Sequence, residues 1–385
     1  MEGGALVVEG QRVLAAGPWR DLRDFPGRVL DFPGCALMPA LVNAHTHLEL
    51  TGLGAPPEAS GFSEWILEVA RRKRKAPAEF WPRAVRSGAR ECLRAGQTWV
   101  ADVVSRPEAL AHPVGPRCLV FPEVLAPWPE RVQAAAEWVD RALETAGGTI
   151  AGISPHSPYT TCPEGFRLAA ERARARGLRK MVHLAESLDE IRFCLDGGGP
   201  VAEVLYAGLE LRAPHRPGLH PVEWLDRLGM LGPDTVVVHG VHVGRHHVDL
   251  LRKRGVALVL CPRSNRRLSG RPAPGREFLK AGITVGLGTD SVLSSGSLDL
   301  WEDIRAAVED YGWTPAEALS AATRGGAEAL GVGSRAGRFG RGGCADILVV
   351  ELGPGRDPWE QVLDGGRLLA VWFGGRPVER TAWVS

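Results

Sequence analysis

The sequence predicts an α/β fold: a (β/α)8 TIM barrel carrying a small β-sandwich domain built from both termini. Three observations predict it. Short apolar runs rich in Val and Leu alternate with amphipathic stretches through the middle of the chain, the pattern of parallel strands buried on both faces. Eight such units over roughly 250–300 residues match the size of this barrel. The runs near the two ends are short and broken by Gly and Pro, so neither end buries a core alone.

The elements follow in order. Residues 1–40 form the first part of the small domain, with runs at 5–9, 13–16 and 28–32. Residues 41–340 form the barrel, its strands expected at 40–46, 97–103, 117–123, 149–155, 179–184, 235–239, 256–261 and 284–288. Stretches such as 78–95, 129–145 and 163–176 supply helices. Thr161-Cys162-Pro163-Glu164 and Thr314-Pro315-Ala316-Glu317 read as capping boxes. The segment 197–221 is rich in Gly and Pro and reads as an irregular lid or substrate loop. Residues 341–385 complete the small domain, with runs at 347–352 and 368–373 and a Gly374-Gly375 turn.

The chain has 385 residues, enough for one large domain and a small one. Its 46 basic and 45 acidic residues nearly cancel, which excludes a dedicated nucleic-acid binder. The one basic run, Arg71-Arg72-Lys73-Arg74-Lys75, reads as a solvated helix end. No apolar stretch is long enough to span a membrane, and the N-terminus lacks a secretory pattern. Seven dispersed cysteines without a CxxC pair suit reduced thiols in a cytoplasm. Few Asn, Gln and Met give a thermophile-like composition, and scarce Lys suits a GC-rich genome. The only two asparagines are Asn43 and Asn265, and both fall inside the motifs below.

Active sites of such barrels form where the strands end. Here the ends read Asn43-Ala44-His45-Thr46-His47, Pro155-His156-Ser157, His183-Leu184-Ala185-Glu186, His239-Gly240-Val241-His242 and Gly288-Thr289-Asp290. His45 and His47 stand two apart on a strand and face one side. Three histidines and a carboxylate suit Zn²⁺ or another borderline divalent ion. Glu186 lies just past a strand end, where a carboxylate passes protons between water and substrate; its plain alternative is a helix-initiating Glu. His239 is either a ligand or a hydrogen-bond partner of the attacking water. His242, His246 and His247 read as helix and loop residues, as do His112, His215 and His220. HExxH, GxSxG, P-loop and GxGxxG patterns are absent, as is the H-x-E…P-C-x-x-C signature of another zinc-deaminase fold.

The ordered set PALVNAHTHLE (39–49), HLAES (183–187), VVHGVH (237–242), CPRSN (261–265), GLGTDS (286–291) and GGCADILVVE (342–351) resembles the amidohydrolase superfamily. It is most similar to the branch of metal-dependent deaminases and chlorohydrolases, which includes cytosine, guanine, S-adenosylhomocysteine and aminofutalosine deaminases. The resemblance implies that His45, His47, His183 and Asp290 hold one divalent ion, Zn²⁺ with Fe²⁺ as the alternative. It implies that Asp290, His239 and Glu186 are catalytic, His239 orienting the attacking water and Glu186 shuttling protons. His156 matches a substrate-contacting position, and Glu49, Trp65 and Asn265 are expected at the substrate. Branches with two ions use a lysine ending strand four, where this chain has Ser154-Pro155-His156. Cys261 stands where relatives often carry His. The implied reaction is hydrolytic deamination of an amino-substituted N-heterocycle, first a 6-aminopurine nucleoside such as aminodeoxyfutalosine. The alternatives are a guanine or cytosine deaminase, a triazine-type hydrolase, or a silent ligand-binding relative. A small molecule is the expected partner, without nucleic acid or membrane, and a homodimer is compatible with the resemblance.

Overall fold

The Val- and Leu-rich runs do become strands whose two faces are both covered. The computed structural model describes residues 2–110, 115–146, 149, 151–214, 216–355 and 357–378. His112 and His215 lie outside the described residues, as does the chain beyond residue 378. The N-terminal region forms a hairpin, β1 (Gly4–Glu9) and β2 (Arg12–Pro18), followed by β3 (Cys35–Pro39). Eight strands come next: β4 (Leu41–Thr46), β5 (Gln97–Val104), β6 (Arg117–Val124), β7 (Gly152–Pro155), β8 (Arg179–Leu184), β9 (Thr235–His239), β10 (Ala257–Leu260) and β11 (Val285–Leu287). They pair in parallel, in chain order. Every residue of β4, β5, β9 and β10 is buried, as a strand sheathed by helices outside and side chains inside requires.

The barrel closes where β11 returns to β4. Asp290 N donates to His45 O at 3.1 Å and His47 N donates to Asp290 O at 3.2 Å, around a bridge between Thr46 and Asp290. Gly288 permits this approach, since a Cβ there would lie 2.8 Å from His45 O. Asn43 braces the seam: its amide donates to Gln97 Oε1 at 2.7 Å and Thr289 Oγ1 at 2.8 Å, and it accepts from Thr289 N. All eight expected strands are present, with ends shifted by up to three residues.

The C-terminal region adds β12 (Ile347–Glu351), β13 (Arg367–Phe373) and β14 (Arg376–Pro377). These join β3 in a four-stranded antiparallel sheet of order β14-β13-β12-β3, so both termini build the small domain. The β1–β2 hairpin ties in through Val13 N to Gly343 O and Ala345 N to Gln11 O. The run expected at 28–32 is not a strand. It is bracketed by Pro26-Gly27 and Pro33-Gly34, and Val29 and Leu30 are exposed; Cys35–Pro39 pairs with β12 instead.

Two other expectations need correction. The segment 197–221 is not irregular throughout: Val201–Tyr206 forms a helical turn, fixed where Tyr206 Oη donates to Tyr159 O at 2.8 Å. The basic run does end the helix Phe62–Lys75, but Lys73 turns inward to the buried Glu49. No helix among the described residues is long and apolar enough to cross a membrane.

Candidate metal centre and active site

The carboxyl ends of β4, β8, β9 and β11 carry His45 and His47, His183, His239, and Asp290 into one place. His45 Nε2 and His47 Nε2 lie 3.3 and 3.2 Å from His183 Nε2, and 3.7 and 3.6 Å from Asp290 Oδ1. Tetrahedral coordination at 2.0–2.1 Å requires donor separations of about 3.3 Å. Hydrogen bonds behind the ring atoms select the tautomers. His45 Nδ1 points to Met181 Sδ at 3.3 Å and His183 Nδ1 to His156 O at 3.0 Å. Each Nδ1–H is thereby committed, so the Nε2 lone pairs of His45 and His183 face each other and need a cation between them. Asp290 Oδ2 accepts from Ser264 Oγ at 2.6 Å and Ser294 Oγ at 2.8 Å, which leaves Oδ1 facing the histidines. The donor set fits a divalent ion.

Electrostatics support the same reading. Burial, followed by the neighbouring His45, pushes His47 down to about 3. Burial likewise holds His183 well below the usual imidazole range, so both rings favour the neutral form that a metal ion would require. Burial would raise Asp290, but the imidazoles packed around it, His45 first, outweigh that and hold it below the ordinary carboxylate range.

Beside this cluster, Glu186 Oε1 lies 3.5 Å from His239 Nε2. Carboxylate and ring atoms of Glu186, His239 and Asp290 all fall within 4.8 Å of one another. Burial first, then the Asp290 and Glu190 charges, push Glu186 well above the usual carboxyl range, which favours its protonated, proton-donating form. His239 is lowered to about 4, chiefly by burial. Its Nδ1–H donates to Asn265 Oδ1 at 2.8 Å, which turns the Nε2 lone pair toward the site. Ala185, His239 and Asp290 all have positive φ, 52°, 74° and 57°. Such strain in non-glycine residues collects at functional sites. Glu186 is not a simple helix-starting residue: Ser187 is the N-cap, and Glu190 accepts from the backbone N–H of Ala185 and Glu186 at 3.1 and 2.8 Å.

The side chains expected at the substrate divide. His156 faces the site, its ring 4.7 Å from that of His183, with Nδ1 engaged by Ser157 Oγ and Thr160 Oγ1 at 2.9 and 2.7 Å. The other three have internal partners. Glu49 is fully buried and bonded to Lys73 Nζ at 2.7 Å and to Ser105 N and Oγ at 3.0 and 2.6 Å; an isolated carboxylate there would be too costly without them. Trp65 gives its N–H to Leu293 O at 3.2 Å and packs with Leu50 and Val69. Asn265 serves His239. Cys261 is core packing, fully buried among Val236, Val238 and Val259.

Residues missed in the sequence are the supports. Asp102 lies near the end of β5 and accepts from Leu48 N at 2.8 Å, bracing the turn after His47. Glu123 ends the β6 mouth region, and Ser264, Ser294 and Glu190 hold the first set. Asp102 and Glu123 obey the same strand-end rule that finds the histidines. His246 and His247 lie on the helix Arg245–Arg254, as expected. They approach Glu223, but His247 Nδ1 accepts from Gly244 N at 3.1 Å. Its proton therefore sits on Nε2, which opposes metal binding there.

The chain shares its sequence family and its fold with known proteins. The amidohydrolase family profile matches residues 36–378. An aminodeoxyfutalosine deaminase of Deinococcus radiodurans is 34% identical over 85% of this chain and 81% of its own. A 5-methylthioadenosine/S-adenosylhomocysteine deaminase of Natronomonas pharaonis is 33% identical over 84% of this chain and 75% of its own. Among solved structures, a zinc-bound adenosine deaminase of Xanthomonas campestris superposes with a TM-score of 0.80 at 25% identity, covering 98% of this chain and 88% of that one. Helicobacter pylori aminofutalosine deaminase, at 21% identity, shares the fold with a TM-score of 0.86 over 98% of this chain and 96% of its own.

Proposed function

The chain belongs to the amidohydrolase family, and on that premise we propose that it is a metal-dependent hydrolytic deaminase of a 6-aminopurine nucleoside. The observation that carries the proposal is the convergence of Glu186, His239 and Asp290 beside three further ligand-type nitrogens, those of His45, His47 and His183. His45, His47, His183 and Asp290 would hold the ion, Zn²⁺ in preference to Fe²⁺. A divalent ion supplies Lewis acidity and lowers the pKa of water from 15.7 to about 7.

The chain's own groups do the rest. Asp290 is ionised and takes a proton from the attacking water. His239, neutral and fixed by Asn265, orients that water. Glu186, protonated by its burial, donates to a ring nitrogen, so the adjacent carbon accepts the oxygen. The proton held by Asp290 then passes to the amino group, the proton of the new hydroxyl returns to Glu186, and ammonia leaves with the 6-oxo product. A silent binder has no use for a buried proton donor at this position.

Aminodeoxyfutalosine is the first substrate to test, because a relative at 34% identity bears that name. S-adenosylhomocysteine and methylthioadenosine are the second reading, on the relative at 33%. The partner is a small molecule. Seven free thiols persist in a reducing compartment and support a cytoplasmic location. Ammonia release should be measured with these nucleosides, adenine, guanine, cytosine and a triazine. A strong chelator should abolish the activity and Zn²⁺ should restore it, with about one equivalent bound. Turnover of guanine, cytosine or a triazine in preference to every adenine nucleoside would overturn the substrate class. Full activity without metal would overturn the mechanism.

A further inference from the structure

Glu123 sits at the mouth end of β6 and has no role in the chemistry above. Its side chain is only 4% exposed, and its Oε1 is buried without a hydrogen-bond partner among the described residues. A bare carboxylate oxygen in such a place is costly and calls for a partner. The nearby cations do not supply one. Lys73 Nζ is taken by Glu49 and Ser105 at 2.7 and 2.8 Å, and the Arg106 guanidinium stacks on Trp81 at 3.7 Å. His156 Nε2 faces Glu123 Oε1 at 3.9 Å, too far to bond directly. The His156 ring cannot swing closer while Ser157 and Thr160 hold its other nitrogen.

The two atoms therefore face each other across an unbridged gap. They lie within 4.8 Å of each other and of a ring nitrogen of His183, immediately beside the reacting centre. Adjacent hydroxyls can bridge such a gap, one donating to the carboxylate and the other bonding the imidazole. Charge-assisted bonds to a carboxylate are strong and directional. A free purine base has no group to place there.

We propose that Glu123 and His156 form a subsite for the vicinal hydroxyls of a ribosyl group, and that Glu123 is the residue that selects a nucleoside over the free base. This rests on the deaminase reading of the same site. It goes beyond that reading by naming the sugar-binding carboxylate and the part of the substrate it requires.

The test compares the zinc-loaded wild type with E123Q, which keeps the shape, and E123L, which removes the acceptor. Turnover is measured on adenosine, 2′-deoxyadenosine, 3′-deoxyadenosine and adenine. Binding is measured by calorimetry on the unreactive 6-oxo counterparts inosine, 2′-deoxyinosine and 3′-deoxyinosine. In the wild type, loss of either hydroxyl should weaken binding about tenfold or more. In the variants, inosine should weaken by that factor, and the gap to its deoxy forms should close to within about threefold. The effect on adenosine should fall mainly on KM. Equal losses on ribosyl and deoxyribosyl ligands would make Glu123 structural and overturn the proposal, as would unchanged inosine binding. Loss of a second equivalent of zinc in E123Q would overturn it by making Glu123 a metal ligand. If no nucleoside is turned over yet the hydroxyl dependence appears in binding and vanishes in E123Q, the deaminase reading fails while the subsite stands.

Discussion

Glu186 and Glu190 are four residues apart, both buried, and do different work. Glu186 points at His239, whereas Glu190 turns back to the backbone of Ala185 and Glu186. Replacing Glu186 by Gln removes the proton donor and keeps its volume. Ammonia release should fall roughly 10⁴-fold, the upper end for acid–base catalysis, with zinc content unchanged; survival within tenfold would return Glu186 to a structural role. Ser264→Ala removes one of two hydroxyls on Asp290 Oδ2 and should weaken zinc about 10–100-fold, the usual effect of losing a group behind a ligand; a chelator competition would show it. Glu190 is raised to about 7 from 4.5, mainly by burial, against its backbone hydrogen bonds. The folded state thus favours its neutral form. Its contribution is complete below pH 4.5 and is lost as pH rises through about 7. Glu190→Gln should therefore gain on the wild type in melting temperature as pH rises across that window, and a constant difference would contradict it. The ligand-type residues are legible in sequence because strand ends and the His-x-His spacing mark them directly. Glu49 is not, because its partner Lys73 comes from a helix and looks like one more charge in a solvated run.

At the scale of elements, two sequences of the same form, Thr-x-Pro-Glu and Thr-Pro-x-Glu, have different outcomes. At Thr314 the box closes: its Oγ1 accepts from Glu317 N at 3.2 Å, and Glu317 Oε2 accepts from Thr314 N at 2.7 Å. At Thr161 the hydroxyl instead donates to Val124 O at 2.9 Å, and Cys162 is the N-cap. Tertiary pairing of that loop with β6 overrides the local cap, which local sequence does not reveal. Thr314→Ala should lower stability by about 1 kcal/mol, seen as a lower melting temperature, with ammonia release unchanged at moderate temperature. The helix Pro262–Ser269 is clamped more heavily. Arg263 bonds Asp303 Oδ2 through Nε and Nη2 at 3.0 and 2.7 Å and also holds Ser297 and Asp299. That clamp aims Ser264 at Asp290 and Asn265 at His239. The CPRSN motif therefore braces the Asp290 carboxylate and the His239 ring from behind.

The whole molecule separates chemistry from anchorage along the strand direction. The clustered histidines, Asp290 and Glu186 lie at or just past the carboxyl ends of β4, β8, β9 and β11. At the opposite end, Asp346 joins the small domain to the barrel. Its Oδ2 accepts from Trp99 Nε1 at 3.1 Å and Arg117 Nη1 at 2.5 Å, and its Oδ1 accepts from Gly374 N at 2.8 Å. Trp99 is near the start of β5 and Arg117 is the first residue of β6. Arg117 also lies over the Trp99 and Phe373 rings, so one carboxylate gathers both sheets of the junction. In such barrels this end carries stability and the other carries function. Asp346→Ala leaves a half-buried guanidinium, an indole N–H and a backbone N–H without their acceptor, a loss of about 3–5 kcal/mol when a buried ion pair is broken on one side. The melting temperature should drop sharply. Below the new transition, kcat and zinc affinity should stay within about twofold of wild type, because no ligand or proton donor touches Asp346. A folded Asp346→Ala protein with its zinc intact and kcat lowered more than tenfold would show that the small domain is coupled to catalysis, and the division between the two ends of the barrel would have to be abandoned.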